Sequence, residues 1–134
     1  MKRLSFIAWM LALPLSAPAW AQADTWPDGL GKDIHTPEGL RNIIERKDPR
    51  LVIVDVRPPA EFAAGHIPTA INIPGGNTAD IDAPPAKDKY LVVYCHGGMK
   101  SPAAGEKLRD AGYMQVFIWG GIVNWPYPRE SSSK

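Results

Sequence analysis

The chain reads as a single α/β domain built on a small parallel sheet of four or five strands, with helices on both faces. Two observations carry that expectation. Residues 51–56, 91–94 and 115–119 are short, nearly continuous apolar runs rich in β-branched and aromatic side chains, the pattern of strands covered on both faces. Between them lie segments whose apolar residues recur at helical spacing, so strand and helix alternate as in a crossover-built parallel sheet. A length of 134 residues fits one such domain.

Residues 1–21 read as a signal peptide outside that domain. Lys2 and Arg3 supply a positive start, residues 4–15 are almost wholly apolar, and Ala19-Trp20-Ala21 has the small-x-small pattern of a cleavage site. Cleavage is expected after Ala21, with Ala23 as the second option. The apolar stretch falls short of the about 20 residues that a spanning helix needs, so no membrane association is expected after cleavage. Loss of Lys2 and Arg3 leaves 13 of the 15 basic residues against 14 acidic ones, a net charge of −1. That balance gives no reason to expect nucleic acid as a partner. The expected compartment is the periplasm, which is oxidising. The single cysteine cannot form an internal disulfide there, so it is a free reactive thiol or one half of an intermolecular bond.

Residues 24–33 read as an extended lead-in in which Trp26 is either packed or exposed. Thr36-Pro37-Glu38 then signals a helix start, with Thr36 as N-cap, and Leu40, Ile43 and Ile44 give that helix its apolar stripe. The helix stops at Asp48-Pro49. In the strand at 51–56, Asp55 interrupts the apolar run close to Arg57. A buried carboxylate is costly unless paired, so Asp55 is expected in a structural ion pair, the alternative being a contact beneath a functional loop. Residues 58–64 form a short helical turn closed by Gly65. His66 is expected to bond nearby backbone and fix a loop rather than act as a base, and residues 70–73 make a small strand. Residues 74–89, rich in Gly, Pro, Asp and Ala, read as a mobile loop with room for one short helical turn. Asp80, Asp82 and Asp88 within it have no metal-ligand spacing, and no metal or cofactor is expected.

Cys95 carries the chemistry. It lies where the strand at 91–94 ends and a helix at 102–111 begins, and ligands bind at the carboxyl ends of the strands in open α/β sheets. A helix N-terminus offers unpaired N–H groups and about half a positive charge. Gly97 and Gly98 let the backbone from His96 through Met99, Lys100 and Ser101 curl with its N–H groups inward, a nest for a negative sulfur or an oxyanion. Lys100 adds a full charge. These features lower a thiol from about 8.5 toward the roughly 3.5–7.5 range of reactive cysteines. The following helix is expected to bury Ala103, Ala104, Leu108 and Ala111 and to close at Gly112. Gly120-Gly121 then stands at the carboxyl end of the last strand, beside the Cys95 loop, for close backbone approach or for an unusual dihedral. Trp125 is expected in the core, and residues 128–134 read as a polar tail.

Four motifs taken together, Leu51-Val52-Ile53-Val54-Asp55-Val56-Arg57, the run from Glu61 to Pro74 containing Gly65-His66-Ile67-Pro68, the Cys95 loop, and Trp119-Gly120-Gly121-Ile122 to Trp125, resemble the rhodanese family. The resemblance runs from about Ile34 to Trp125, within a domain read as residues 34–127, and looks most like the single-domain exported rhodaneses of bacteria. It implies a rhodanese-like fold and a thiosulfate sulfurtransferase. In that activity Cys95 takes a sulfane sulfur from thiosulfate or a persulfide donor and passes it to cyanide or a thiol acceptor, with residues 96–101 binding the anion. Asp55 and Arg57 would support the loop. Many family members carry arginine where this chain has Lys100. Lysine keeps the charge without the forked geometry that suits an oxyanion, which predicts weaker thiosulfate binding.

Two other functions compete. Some phosphatases share the fold, but they need an arginine at the sixth position after the cysteine, where this chain has Ser101. The second alternative is a non-enzymatic sulfur carrier or protein-binding module that docks on a periplasmic partner.

Overall fold

The computed structural model describes Trp26 and residues 30–132; the signal peptide and both cleavage options lie outside the described residues. The sheet holds four strands, β1 (Leu51–Asp55), β2 (Ile71–Asn72), β3 (Tyr90–Cys95) and β4 (Gln115–Gly121), all parallel, in the order β2-β1-β3-β4. Among the described residues three α-helices connect or flank them: α1 (Pro37–Glu45), α2 (Pro59–Ala64) and α3 (Ser101–Asp110). This is the expected parallel α/β arrangement, at the lower end of the expected strand count. β2 is only two residues long, shorter than the expected strand at 70–73.

Alternation along β3 divides the core in two. Val92 and Tyr94 point to one face, where they meet Ile53, Leu40 and Ile43 of α1, and Trp125. Leu91, Val93 and Cys95 point to the other, against Ala104 and Leu108 of α3, Val116 and Tyr113. A strand buried on both sides has no polar face to alternate, which is why its sequence reads as an unbroken apolar run. Cys95 therefore lies on the face covered by α3.

α1 starts as its residues dictate. Thr36 Oγ1 accepts from Gly39 N at 3.0 Å and Pro37 occupies the first turn. α3 ends in a paired motif: Gly112, at φ 104°, donates to Arg109 O, and Tyr113 N donates to Leu108 O. Only a residue tolerant of the left-handed region closes a helix this way. On α3 the buried residues are Ser101, Ala104, Gly105 and Leu108. Ala103 is exposed instead, because the stripe is set by the 101, 104, 105, 108 spacing and Ala103 falls outside it.

Three segments are more firmly held than their composition suggests. The lead-in supplies core: Trp26 is 4% exposed, with its ring 4.8 Å from Tyr90 and edge-on to it, and Leu30 and Ile34 are buried alongside. The expected mobile loop contains two 3-10 turns, Pro74–Gly76 and Thr78–Asp80, and Gly76 is packed so closely on Ala104 O that a Cβ would lie 2.5 Å from it. The expected polar tail is tied down through its backbone. His66 N and Glu130 N donate to each other's carbonyls at 2.8 and 2.9 Å, and Ser132 N donates to Ala63 O. Backbone pairing of this kind depends on no side-chain pattern, so composition does not reveal it.

A Cβ at Gly39 would lie 1.8 Å from Asp33 O, a backbone atom that cannot swing aside. Gly39→Ala should therefore lower stability by about 1–3 kcal/mol through overpacking, although alanine is the better helix former by about 1 kcal/mol. Urea unfolding followed by circular dichroism measures the change.

Candidate functional site

The Cys95 loop occupies the gap between the end of β3 and the first turn of α3. Cys95 is 4% exposed and carries a free thiol. Gly98 N donates to Sγ at 3.1 Å, a contact that depends on the φ of 96° at Gly98 turning the amide back toward the sulfur. Ser101, fully buried at the first position of α3, has its Oγ 3.3 Å from Gly98 O, which pins the loop's return. Burial pushes the Cys95 thiol up. The backbone N–H of Lys100, the Ser101 hydroxyl and the backbone N–H groups of Gly98 and Ser101 outweigh it and hold the thiol below its ordinary range. His96, Gly97, Met99 and Lys100 are exposed, Met99 at 92%.

The two glycines after β4 divide the roles left open by the sequence. Gly120 has φ 104° with nothing within 4 Å of a Cβ position, so its requirement is conformational. It sits at a break in the β3–β4 register, where Val93 pairs with Ile118 but Tyr94 pairs with Gly120. Bulges of this kind re-aim a strand end. Gly121 meets the requirement for close approach: a Cβ there would lie 2.4 Å from His96 O and 2.7 Å from Gly98 N. The chain then crosses the loop, and Val123 N donates to His96 O at 3.2 Å.

Asp55 and Arg57 form a buried pair beside this loop. Arg57 N and Nε donate to Asp55 Oδ1 at 2.8 and 3.1 Å, and Nη2 donates to Oδ2 at 2.7 Å. Nη2 also reaches Gly65 O at 2.7 Å. Burial disfavours the guanidinium charge, and the hydrogen-bonded Asp55 carboxylate more than restores it, raising the Arg57 pKa. Tyr94, beside Asp55 in the register and one residue before Cys95, is pushed up chiefly by burial and by the Asp55 charge, so it stays a neutral phenol that accepts from Ile67 N. His66 stacks on Phe62 at 3.9 Å and its Nδ1 lies 2.8 Å from Phe62 O, inside the wall rather than facing Cys95.

A pocket of about 660 Å³ opens over Cys95. Its walls combine Val56, Arg57, Pro58, Pro59 and Glu61 from the segment after β1, Pro74 and Gly75 from the segment after β2, and the Cys95 loop with His96, Gly97, Met99 and Lys100. Gly75 N is itself held by Val56 O at 2.9 Å. Of the residues singled out in the sequence, the structure brings Cys95, the loop and Arg57 to one cavity, and it places Asp55 behind Arg57. Pro58 and Pro59 had no motif to announce them, and Glu61 and Pro74 stood in a motif that assigned them no place in the site. The signal that locates them is positional, since residues just past the carboxyl ends of β1, β2 and β3 share one rim.

A model of the rhodanese-like domain family matches residues 36–126. Over 100 residues the chain is 30% identical to a thiosulfate:glutathione sulfurtransferase of Saccharomyces cerevisiae, covering 65% of this chain and 72% of that protein. It is 40% identical over 82 residues to an HTH-type transcriptional regulator of Mycobacterium tuberculosis, covering 60% of this chain but only 36% of the regulator. The crystal structure of the Saccharomyces cerevisiae single-domain sulfurtransferase RDL2 superposes with a TM-score of 0.58 at 32% identity, covering 67% of this chain and 85% of that one.

The lowered thiol has a direct readout. Alkylation of Cys95 by iodoacetamide, followed against pH, should rise with a midpoint below that of free cysteine, because the thiolate forms earlier in the folded protein. Ser101→Ala should move that midpoint upward, since the hydroxyl favours the thiolate and holds Gly98 O; an unaffected midpoint would contradict that role. Separately, Asp55→Ala leaves Arg57 buried without its partner and should cost about 3–5 kcal/mol in a denaturant titration.

Proposed function

The chain belongs to the rhodanese-like domain family, and on that premise we propose that it is a sulfurtransferase working through a persulfide on Cys95. The observation that carries the reading is the thiol of Cys95 at the base of an open pocket, ringed by loop N–H groups that favour a negative sulfur. The names of the yeast relatives support the reaction class.

In the first half-reaction the Cys95 thiolate attacks the outer sulfur of thiosulfate or of a persulfide donor. The donor's S–S bond breaks, and its electron pair leaves on sulfite or on the donor thiolate. In the second half an acceptor, cyanide or a thiolate, attacks the outer sulfur of the Cys95 persulfide and returns Cys95 as thiolate. Splitting one transfer into two substitutions at sulfur is covalent catalysis with ping-pong kinetics. The N–H groups of Gly98, Lys100 and Ser101 stabilise the anionic sulfur in both halves and need no rearrangement to do so. Lys100 attracts the anionic donor, while the buried Asp55–Arg57 pair shapes the wall and is not a nucleophile or base. A pocket of about 660 Å³ has room for more than thiosulfate, which favours donors or acceptors with an organic body. Export to the periplasm by the leader at residues 1–21 is part of the proposal.

Intact-mass spectrometry before and after thiosulfate, then after cyanide, tests the reading. The expected result is a gain of one sulfur atom on Cys95, lost to cyanide as thiocyanate, and none in Cys95→Ser. No gain from thiosulfate or from a small persulfide donor overturns it. Lys100→Arg should lower the KM for thiosulfate about fivefold, the value of about 1 kcal/mol from one added bidentate contact.

A further inference from the structure

The pocket over Cys95 is one compartment of a longer cleft. A second cavity of about 390 Å³ adjoins it, and the two share Arg57, Glu61 and His96 as a common wall. They differ in chemistry. To the shared wall the first adds mostly valine, prolines, glycines and methionine around the sulfur, with Lys100 at its loop, whereas the second adds the charged pair Arg129 and Glu130.

The charges of the second compartment are unequally engaged. Arg57 is neutralised by Asp55. The Glu130 carboxylate is drawn toward the opposite side, accepting from Thr69 N at 3.2 Å with His66 Nε2 at 3.9 Å. Arg129 makes one bond, Nη2 to Ile122 O at 3.3 Å, and has no carboxylate within ion-pair distance among the described residues. Glu61 is exposed on the shared wall, where its charge favours the Arg57 guanidinium, and it makes no ion pair within 4 Å among the described residues. One cation and one anion without an ion-pair partner among the described residues thus flank the same cavity, next to the compartment that ends at the Cys95 sulfur.

We infer that this second compartment is a head-group subsite for a small thiol bearing an α-amino acid, with its carboxylate on Arg129, its ammonium on Glu61 and its sulfur reaching into the Cys95 compartment. The inference rests on the sulfurtransferase reading and names its acceptor class. The acceptor thiol loses its proton to solvent, its thiolate attacks the outer sulfur of the Cys95 persulfide, and the S–S bond breaks with its electron pair returning to Cys95 Sγ. The products are a small-molecule persulfide and the Cys95 thiolate, so no oxidant or reductant is consumed. The backbone that holds Arg129 in place is the pairing of His66 with Glu130, which gives the end of the domain a role in shaping the cleft.

The test compares four acceptors on protein already loaded with sulfur at Cys95: 2-mercaptoethanol, 3-mercaptopropionate, cysteamine and cysteine. Cysteine should be the best acceptor after correction for thiolate concentration. Arg129→Gln should reduce kcat/KM for 3-mercaptopropionate and cysteine about three- to fivefold relative to 2-mercaptoethanol, the scale of one exposed charge contact, and Arg129→Lys should restore part of it. Glu61→Gln should act the same way on cysteamine and cysteine. An equal loss for all four acceptors, or no preference among them in the unsubstituted protein, overturns the subsite while leaving sulfur loading intact. Failure of the protein to load sulfur at all overturns the underlying reading instead, and mass spectrometry of the loaded state separates the two failures.

Discussion

The buried Asp55–Arg57 pair is the constraint around which the carboxyl edge of the sheet is assembled. A carboxylate with no solvent exposure is tolerable only when its lone pairs are filled, and here the Arg57 amide and guanidinium fill them. Satisfying that carboxylate fixes more than one residue. Arg57 Nη2 must also reach Gly65 O, which sets the end of α2, and Asn72 Nδ2 bridges the carbonyls of Asp55 and Arg57, which sets β2. On the other side Tyr94 faces Asp55 across the β1–β3 ladder, and the next residue is Cys95. One charge pair thus couples the pocket wall to the strand that presents the sulfur.

The second constraint is steric and acts from the opposite edge. β4 has to bring backbone against the Cys95 loop without a side chain between them, and Gly121 makes that approach possible. Gly120 reorients the strand end, and the crossing is sealed where Val123 N meets His96 O. The loop is therefore held from outside as well as by its own bonds. This matters chemically, because N–H groups stabilise a negative sulfur only if they already point at it.

These two constraints explain how a protein this small keeps a thiol both sheltered and reactive. Desolvation alone would make Cys95 inert. The same burial that excludes water strengthens the few donors aimed at the sulfur, and with several of them the balance falls on the thiolate side. His96, Met99 and Lys100 of the loop stay open to whatever approaches.

The sequence by itself determined the alternation of strands and helices, the capping of α1 by Thr36, the closure of α3 at Gly112 and the position of Cys95 between a strand and a helix, because each depends on residues within a few positions of one another. It also determined that Asp55 needs a partner nearby and that Arg57 is within reach. What only the tertiary structure decided depends on contacts between distant segments. Trp26 joins the core because Tyr90 and Phe117 offer it a face. Residues 129–132 are held because His66 and Ala63 present free backbone groups, and the loop after β2 packs because Gly76 admits the carbonyl of Ala104. The cleft itself was not legible, since its walls come from three strand ends and the last described turn of the chain, and no local pattern records that those ends converge.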